Sequence, residues 1–150
     1  MFHYRLQSVL EVREQLARLK QKEFSEVLAR RQALEAEITQ FEQRLDQSGQ
    51  FMDGVRAKGG AAFPLEIFQN FKRRVASEVE RIHGQIREES QELEAKRMNL
   101  IEAKRAQRSL EILKEKQRGR YEQELRRRER ALMDEVASNY QLFRKDKAEE

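Results

Sequence analysis

Cysteine is absent from this sequence, which excludes disulfides, thiolate nucleophiles and cysteine-held metals, and is compatible with a reducing, cytoplasmic setting. Tryptophan is absent too, and aromatics make up only 7% of the residues. Proline occurs once, at Pro64, and glycine six times, so most of the chain carries nothing that would interrupt a helix. Long apolar runs are also missing. No stretch approaches the roughly 18 apolar residues that read as a membrane span, and Met1-Phe2-His3-Tyr4-Arg5-Leu6-Gln7 lacks the apolar core of a signal peptide. The reading therefore expects no direct membrane insertion and at most a peripheral membrane role.

Catalytic groupings are lacking as well. Gly59-Gly60 runs into Ala61-Ala62-Phe63-Pro64, without the lysine and hydroxyl of a phosphate-binding loop. His3 and His83 have no ligand partners at metal spacing. Carboxylates are plentiful but recur on what should be solvated faces, with no concave pocket to shift their pKa values. No catalytic residue, cofactor or metal is expected, and the chain is read as not an enzyme.

What the chain does have is charge, at 39% of residues, arranged around regularly spaced apolar positions. That combination is the mark of a coiled coil rather than of a disordered segment. Over the first third, Phe2, Leu6, Val9, Leu16, Val27, Leu34, Ile38, Phe41, Leu45 and Met52 form a heptad seam. Arg13, Lys20, Glu23, Arg30 and Ser48 fill its gaps, with one stutter between Arg30 and Ile38. Leu10, Phe24 and Leu28 flank it. A second seam runs through Leu65, Phe68, Lys72, Val75, Val79, Ile82, Ile86, Glu89, Leu93, Lys96, Leu100, Ala103, Gln107 and Leu110. After a phase slip the apolar series resumes as Tyr121, Leu125, Leu132, Val136, Tyr140 and Phe143.

Residues 53–64 separate the two seams and hold Gly54, Gly59, Gly60 and Pro64. Glycine ends helices and proline suits the first turn of a new one. The predicted fold is all-α: an antiparallel two-helix coiled-coil hairpin with an overhanging C-terminal helix, forming one domain over 1–150. Helix 1 is expected at about 2–52, the turn at 53–64, helix 2 at about 65–143 and a frayed tail at 144–150. Folding near residue 58 sets residue i opposite about 116 − i, so Phe2 should lie near Lys114 and everything beyond should overhang. An elongated monomer is expected.

Two surfaces stand out. Residues 104–130 carry eleven basic and five acidic side chains, a net +6 within a chain of net +4. The block fits a protein partner with an acidic lining, a nucleic acid, or a solvated helix face laced with short-range pairs. Near the turn gather five of the eight phenylalanines, Phe41, Phe51, Phe63, Phe68 and Phe71. Two helices cannot cover them all, so part of that patch is expected to meet a partner.

The opening Phe2-His3-Tyr4-Arg5-Leu6-Gln7-Ser8-Val9-Leu10-Glu11-Val12-Arg13 resembles the start of the FliJ family of flagellar type III export: two aromatics, Arg-Leu-Gln, then Leu and Arg. Lys104, Leu110 and Leu113-Lys114-Glu115-Lys116 are similar to that family's late-helix pattern. Glu129, Leu132 and Asp134-Glu135 resemble its closing motif, with Met133 inserted. The resemblance covers about residues 2–137. It implies a coiled coil like the central stalk of rotary ATPases, seated in the export ATPase hexamer and touching the cytoplasmic domain of the export gate, with export chaperones as further partners. It places the protein in the cytoplasm, peripherally associated with the inner-membrane export apparatus.

On this resemblance the ATPase contacts would include Arg5, Gln7, Arg13, Arg118, Arg120, Tyr121, Arg126, Arg127, Arg128, Glu129 and Asp134. The gate contacts would include Ile38, Phe41, Leu45, Phe68, Phe71 and Val75. No nucleic acid is expected as a partner. A basic nucleic-acid-binding hairpin and a purely structural spacer remain the alternatives, and an injectisome stalk is the near neighbour.

Overall fold

The computed structural model describes residues 1–60 and 62–146, and the side chains of residues 1–60 and 64–141. It contains two helices, α1 at Gln7–Ala57 and α2 at Ala62–Asp146, of 51 and 85 residues. Among the described residues there is no strand, and no helix is long and apolar enough to cross a membrane. The chain is an all-α helical hairpin. Residue contacts gather in two units, Leu16–Ala103 and the pair of segments Met1–Gln15 with Lys104–Glu150.

In the first unit, 16–103, both helices pack through heptad rows. On α1 the rows are Ala17, Phe24, Arg31, Ile38, Leu45, Met52 and Lys20, Val27, Leu34, Phe41, Ser48, Val55, each in steps of seven and each at least half-buried. These rows contain no stutter. On α2 the expected seam holds from Leu65 to Ala103, except that Lys72 is exposed and Phe71 takes its place. Ile82 and Val27 are the most completely enclosed side chains.

The turn is shorter than expected. Asp53, Gly54, Val55, Arg56 and Ala57 belong to α1, and α2 starts at Ala62, so the reversal is confined to residues between them. A lone glycine inside a helix costs about 1 kcal/mol and does not stop it, while half-buried Val55 still has a seam to join. Gly59 makes the stop. It adopts a left-handed φ of 74°, its N–H donates to the Arg56 carbonyl at 3.0 Å, and the Gly60 N–H donates to the Val55 carbonyl at 3.0 Å. This is a Schellman closure, which satisfies carbonyls that the helix end leaves free. A Cβ on Gly60 would overlap Val55 Cγ1, so both glycines are needed. Pro64 lies in the first turn of α2, where its missing N–H has no helical acceptor.

The later turn moves the register. Glu23 faces Lys96 and Arg30 faces Glu89, so residue i lies opposite about 119 − i rather than 116 − i. The pivot falls at Gly59-Gly60, not at residue 58.

In the second unit the chain does not begin as a helix. Residues 1–4 are irregular, Arg5 and Leu6 form a turn, and the Gln7 N–H donates to the Tyr4 carbonyl at 3.1 Å. Tyr4 is buried, donates its hydroxyl to the Leu110 carbonyl at 3.0 Å and lies under the Lys114 ammonium. Phe2 packs on Tyr121 rather than near Lys114, with ring centroids 5.8 Å apart. Leu10 is buried here, whereas Leu6, Val9 and Arg13, which the sequence pattern put in the seam, are exposed. At the far end α2 reaches Asp146, past the expected limit of 143, and residues 147–150 of the expected tail lie outside the described residues.

Glycines provide a direct check. A Cβ on Gly54 or Gly119 would meet nothing within 4 Å, and both positions are helical, Gly119 within α2 and Gly54 in the last turn of α1. Gly54→Ala and Gly119→Ala are each expected to raise stability by about 0.5–1 kcal/mol in urea unfolding, whereas Gly60→Ala should lower it.

Candidate functional site

Each unit carries one candidate surface. In the second unit the basic block of α2 runs from the pairing with the N-terminal residues out onto unpartnered helix. Among the described residues the last inward-facing side chains are Tyr121 and Glu122, and every side chain from Gln123 to Gln141 is exposed. The overhang thus starts after Glu122, not after Lys114. Arg118 and Arg120 precede it, because the N-terminal segment reaches Tyr121: the Met1 ammonium donates to the Tyr121 hydroxyl at 3.1 Å.

All eleven candidate ATPase-contact residues fall in this unit. Gln7 accepts from Lys114 Nζ at 2.8 Å and donates to Glu11, so it ties the helix pair together. Tyr121 is half-buried under Phe2. Arg5, Arg13, Arg120, Glu129 and Asp134 are exposed. Arg118 is paired with Glu122 at 2.9 Å and Arg128 with Glu124 at 2.7 Å. Among the described residues no carboxylate lies within ion-pair distance of Arg126, Arg127 or Arg130, which line a shallow depression with Gln123. These three guanidinium groups are open to an anionic partner.

Just inside the pairing, Arg108 bonds to Glu111 at 2.9 Å and lies 3.4 Å from Glu115. Hydrogen bonds from Arg108 and Gln107 hold the Glu111 carboxyl below the usual carboxylate range. These pairs lock charge onto the helix surface, as the solvated-face reading expects. They do not extend to Arg126, Arg127 and Arg130.

The other surface lies beside the turn, within residues 16–103. Gln47, Ser48, Phe51, Met52, Pro64, Ile67, Phe68 and Phe71 surround an open concavity of about 570 Å³. Phe51 is 69% exposed and Ile67 54% exposed. Of the candidate gate-contact residues, Phe68 and Phe71 line this hollow, and half-buried Phe41 carries the Arg44 guanidinium over its ring. Leu45 is half-buried in the seam. Ile38 and Val75 are buried between the helices, so a partner at the surface would not reach them. Ile67 and Pro64 are absent from the contact set that the resemblance implied, and Phe51 belongs to the expected aromatic patch but not to that set. Their signal was proximity to the break itself. The side chain of Phe63 lies outside the described residues.

Where residues 20–30 of α1 face 89–96 of α2 the seam is partly polar. Glu23 accepts from Lys20 at 3.2 Å and from Lys96 at 3.1 Å, and Arg30 bonds to Glu89 and Glu92 at 3.1 and 3.0 Å. The Lys96 and Lys20 hydrogen bonds hold the Glu23 carboxyl below its ordinary range, and Glu89 and Glu92 push Arg30 further up. A depressed carboxylate contributes stability above its unfolded pKa and loses it as pH falls through the folded value. Melting temperature is therefore expected to hold from neutrality down to the ordinary carboxylate range and to fall below it. Glu23→Gln should flatten that fall, and the difference should shrink in high salt because these groups are partly exposed.

A family model described as the flagellar FliJ protein matches residues 2–147 of the chain. No curated protein and no solved structure matches it.

Proposed function

Because the chain belongs to the FliJ family, the protein is a flagellar export component, and we propose that it acts as a stalk-like coiled coil between the export ATPase ring and the export gate. The observation that carries this reading is the pair of unlike surfaces, one in each unit. One is a basic helical arm whose Arg126, Arg127 and Arg130 have no carboxylate partner among the described residues. The other is an apolar hollow with Phe51 and Ile67 projecting into water.

A basic, unpartnered helix suits insertion into an acidic-lined ring, where charge complementarity speeds docking and sets orientation. An exposed aromatic and aliphatic hollow suits an apolar anchor from a second protein. The arm meets the ATPase, the hollow meets the cytoplasmic domain of the gate, and the role is non-catalytic. Export chaperones delivering substrates are the third class of partner. The protein then works in the cytoplasm against the inner-membrane export apparatus without entering the bilayer.

The test is a pair of measurements on one preparation: stimulation of the export ATPase by the full chain, and capture of the gate's cytoplasmic domain. Both are expected. Absence of both would remove the linking role. Tight nucleic-acid binding that falls by orders of magnitude between low and physiological salt would favour the nucleic-acid reading instead.

A further inference from the structure

The arm keeps an apolar stripe that no other part of the chain covers among the described residues. Leu125, Leu132 and Val136 recur at spacings of seven and four, which places them within about 40° of one another around the helix. They are 43%, 61% and 64% exposed, and Tyr140 beside them is 65% exposed. Such a stripe needs a partner.

Charge indicates which. Residues 123–130 hold Arg126, Arg127, Arg128 and Arg130 against Glu124 and Glu129, whereas residues 131–141 hold Asp134 and Glu135 and no base. Over residues 123–141 the arm is thus basic in its first half and acidic in its second. Two such arms laid parallel would set arginine against arginine. Laid antiparallel, each basic half meets an acidic half. We infer that the arm is a self-complementary surface whose partner is the same arm of a second copy of this chain, antiparallel across a two-fold axis.

The heptad sets the register. In an antiparallel coiled coil the two apolar rows of one helix face the opposite rows of the other. Setting Leu125 against Val136 of the partner subunit puts the two-fold axis between Arg130 and Ala131. Symmetry repeats each contact, so Val136 also meets the partner's Leu125. On one flank Arg128 then falls beside Glu135 of the partner subunit, and this ion pair too is made twice. Arg128 would exchange its exposed bond to Glu124 for that contact. Glu129 lies within the stripe and breaks it between Leu125 and Leu132. The pairing is therefore short, interrupted and weak, in the size class of a transient contact. It covers Arg128 and the apolar stripe when no tighter partner is present. On the export reading, which this consequence alone rests on, ATPase docking and self-pairing compete for one surface.

The absence of native cysteine makes the test clean. Full-length Leu125→Cys and Val136→Cys chains, mixed under mild oxidation, are expected to give a disulfide-linked mixed dimer well above the yield from either chain alone. Sedimentation equilibrium of the unmodified chain should show a dimer that grows with concentration. Arg128→Glu should weaken it by about fivefold or more, and adding Glu135→Arg should restore it. A monomer throughout, self-linking of Leu125→Cys as efficient as mixed linking, or failure of the charge swap to restore pairing would each overturn the inference. All three measurements use the chain alone, so they stand or fall independently of the export role.

Discussion

Replacing Arg126, Arg127 and Arg128 together by glutamate is expected to raise the concentration needed for half-maximal ATPase stimulation by about tenfold or more. The substitution changes the arm by six charge units while leaving its backbone helical. Three consecutive positions span about 200° of a helix surface, so at least one faces any encircling partner. The fold should survive, because all three side chains are exposed and their one tie among the described residues is the Arg128–Glu124 pair. Such i,i+4 pairs contribute only a few tenths of a kcal/mol. Far-UV circular dichroism and melting should therefore stay close to those of the parent chain, which separates lost docking from lost folding. The parent's stimulation should weaken modestly with salt, as contacts between exposed charges do. Normal stimulation by the triple variant would remove the arm from the ATPase contact.

The second large effect is expected at the hollow. Phe51→Ala with Ile67→Ala should reduce affinity for the gate's cytoplasmic domain by about tenfold or more, because exposed aromatic and aliphatic anchors at the centre of an apolar contact dominate its energy. Phe51 is largely solvent-exposed and Ile67 more than half so, and their loss therefore costs the free chain little. Phe71→Ala and Phe41→Ala should also weaken the contact, but with some loss of stability, since both are half-buried. Ile82→Ala gives the contrast. That side chain is 0% exposed, and truncating it should lower stability by about 2–5 kcal/mol through the cavity it leaves. If gate affinity survives the Phe51 and Ile67 substitutions, the hollow is only an imperfectly filled helix junction.

These two surfaces were legible in the sequence to different degrees. The basic arm is a local property of one helix, so a run of arginines beyond the reach of α1 was enough to locate it. The apolar crowding beside the turn was equally visible as clustered phenylalanine. Which of those residues face water was not visible, because that depends on the opposing helix. Ile38 and Val75 read as contact candidates and are enclosed, while Ile67 read as off-seam and is open.

The sequence by itself determined that this protein is two long helices with a break within residues 53–64, since sustained heptads run on either side and the one proline and three of the six glycines fall there. It also determined nearly all of the α2 seam from Leu65 to Ala103, where large apolar residues hold eight of the twelve positions. Only the tertiary structure decided the phase of the first part of α1. There Val9 and Leu16 compete with Leu10 and Ala17 for the inward position, and neighbouring residues on a helix differ by only about 100°. Apolarity favours Leu16, but the rows that continue into Phe24, Ile38 and Met52 run through Ala17. The tertiary structure also decided that Tyr4 is core. A tyrosine outside the helix has no periodicity to reveal it, and its burial depends on a carbonyl 106 residues away that accepts its hydroxyl proton. The register was decided at Gly59 and Gly60, because an antiparallel pair inherits its alignment from the point where the chain turns, and that point depended on how far Val55 could carry the first helix.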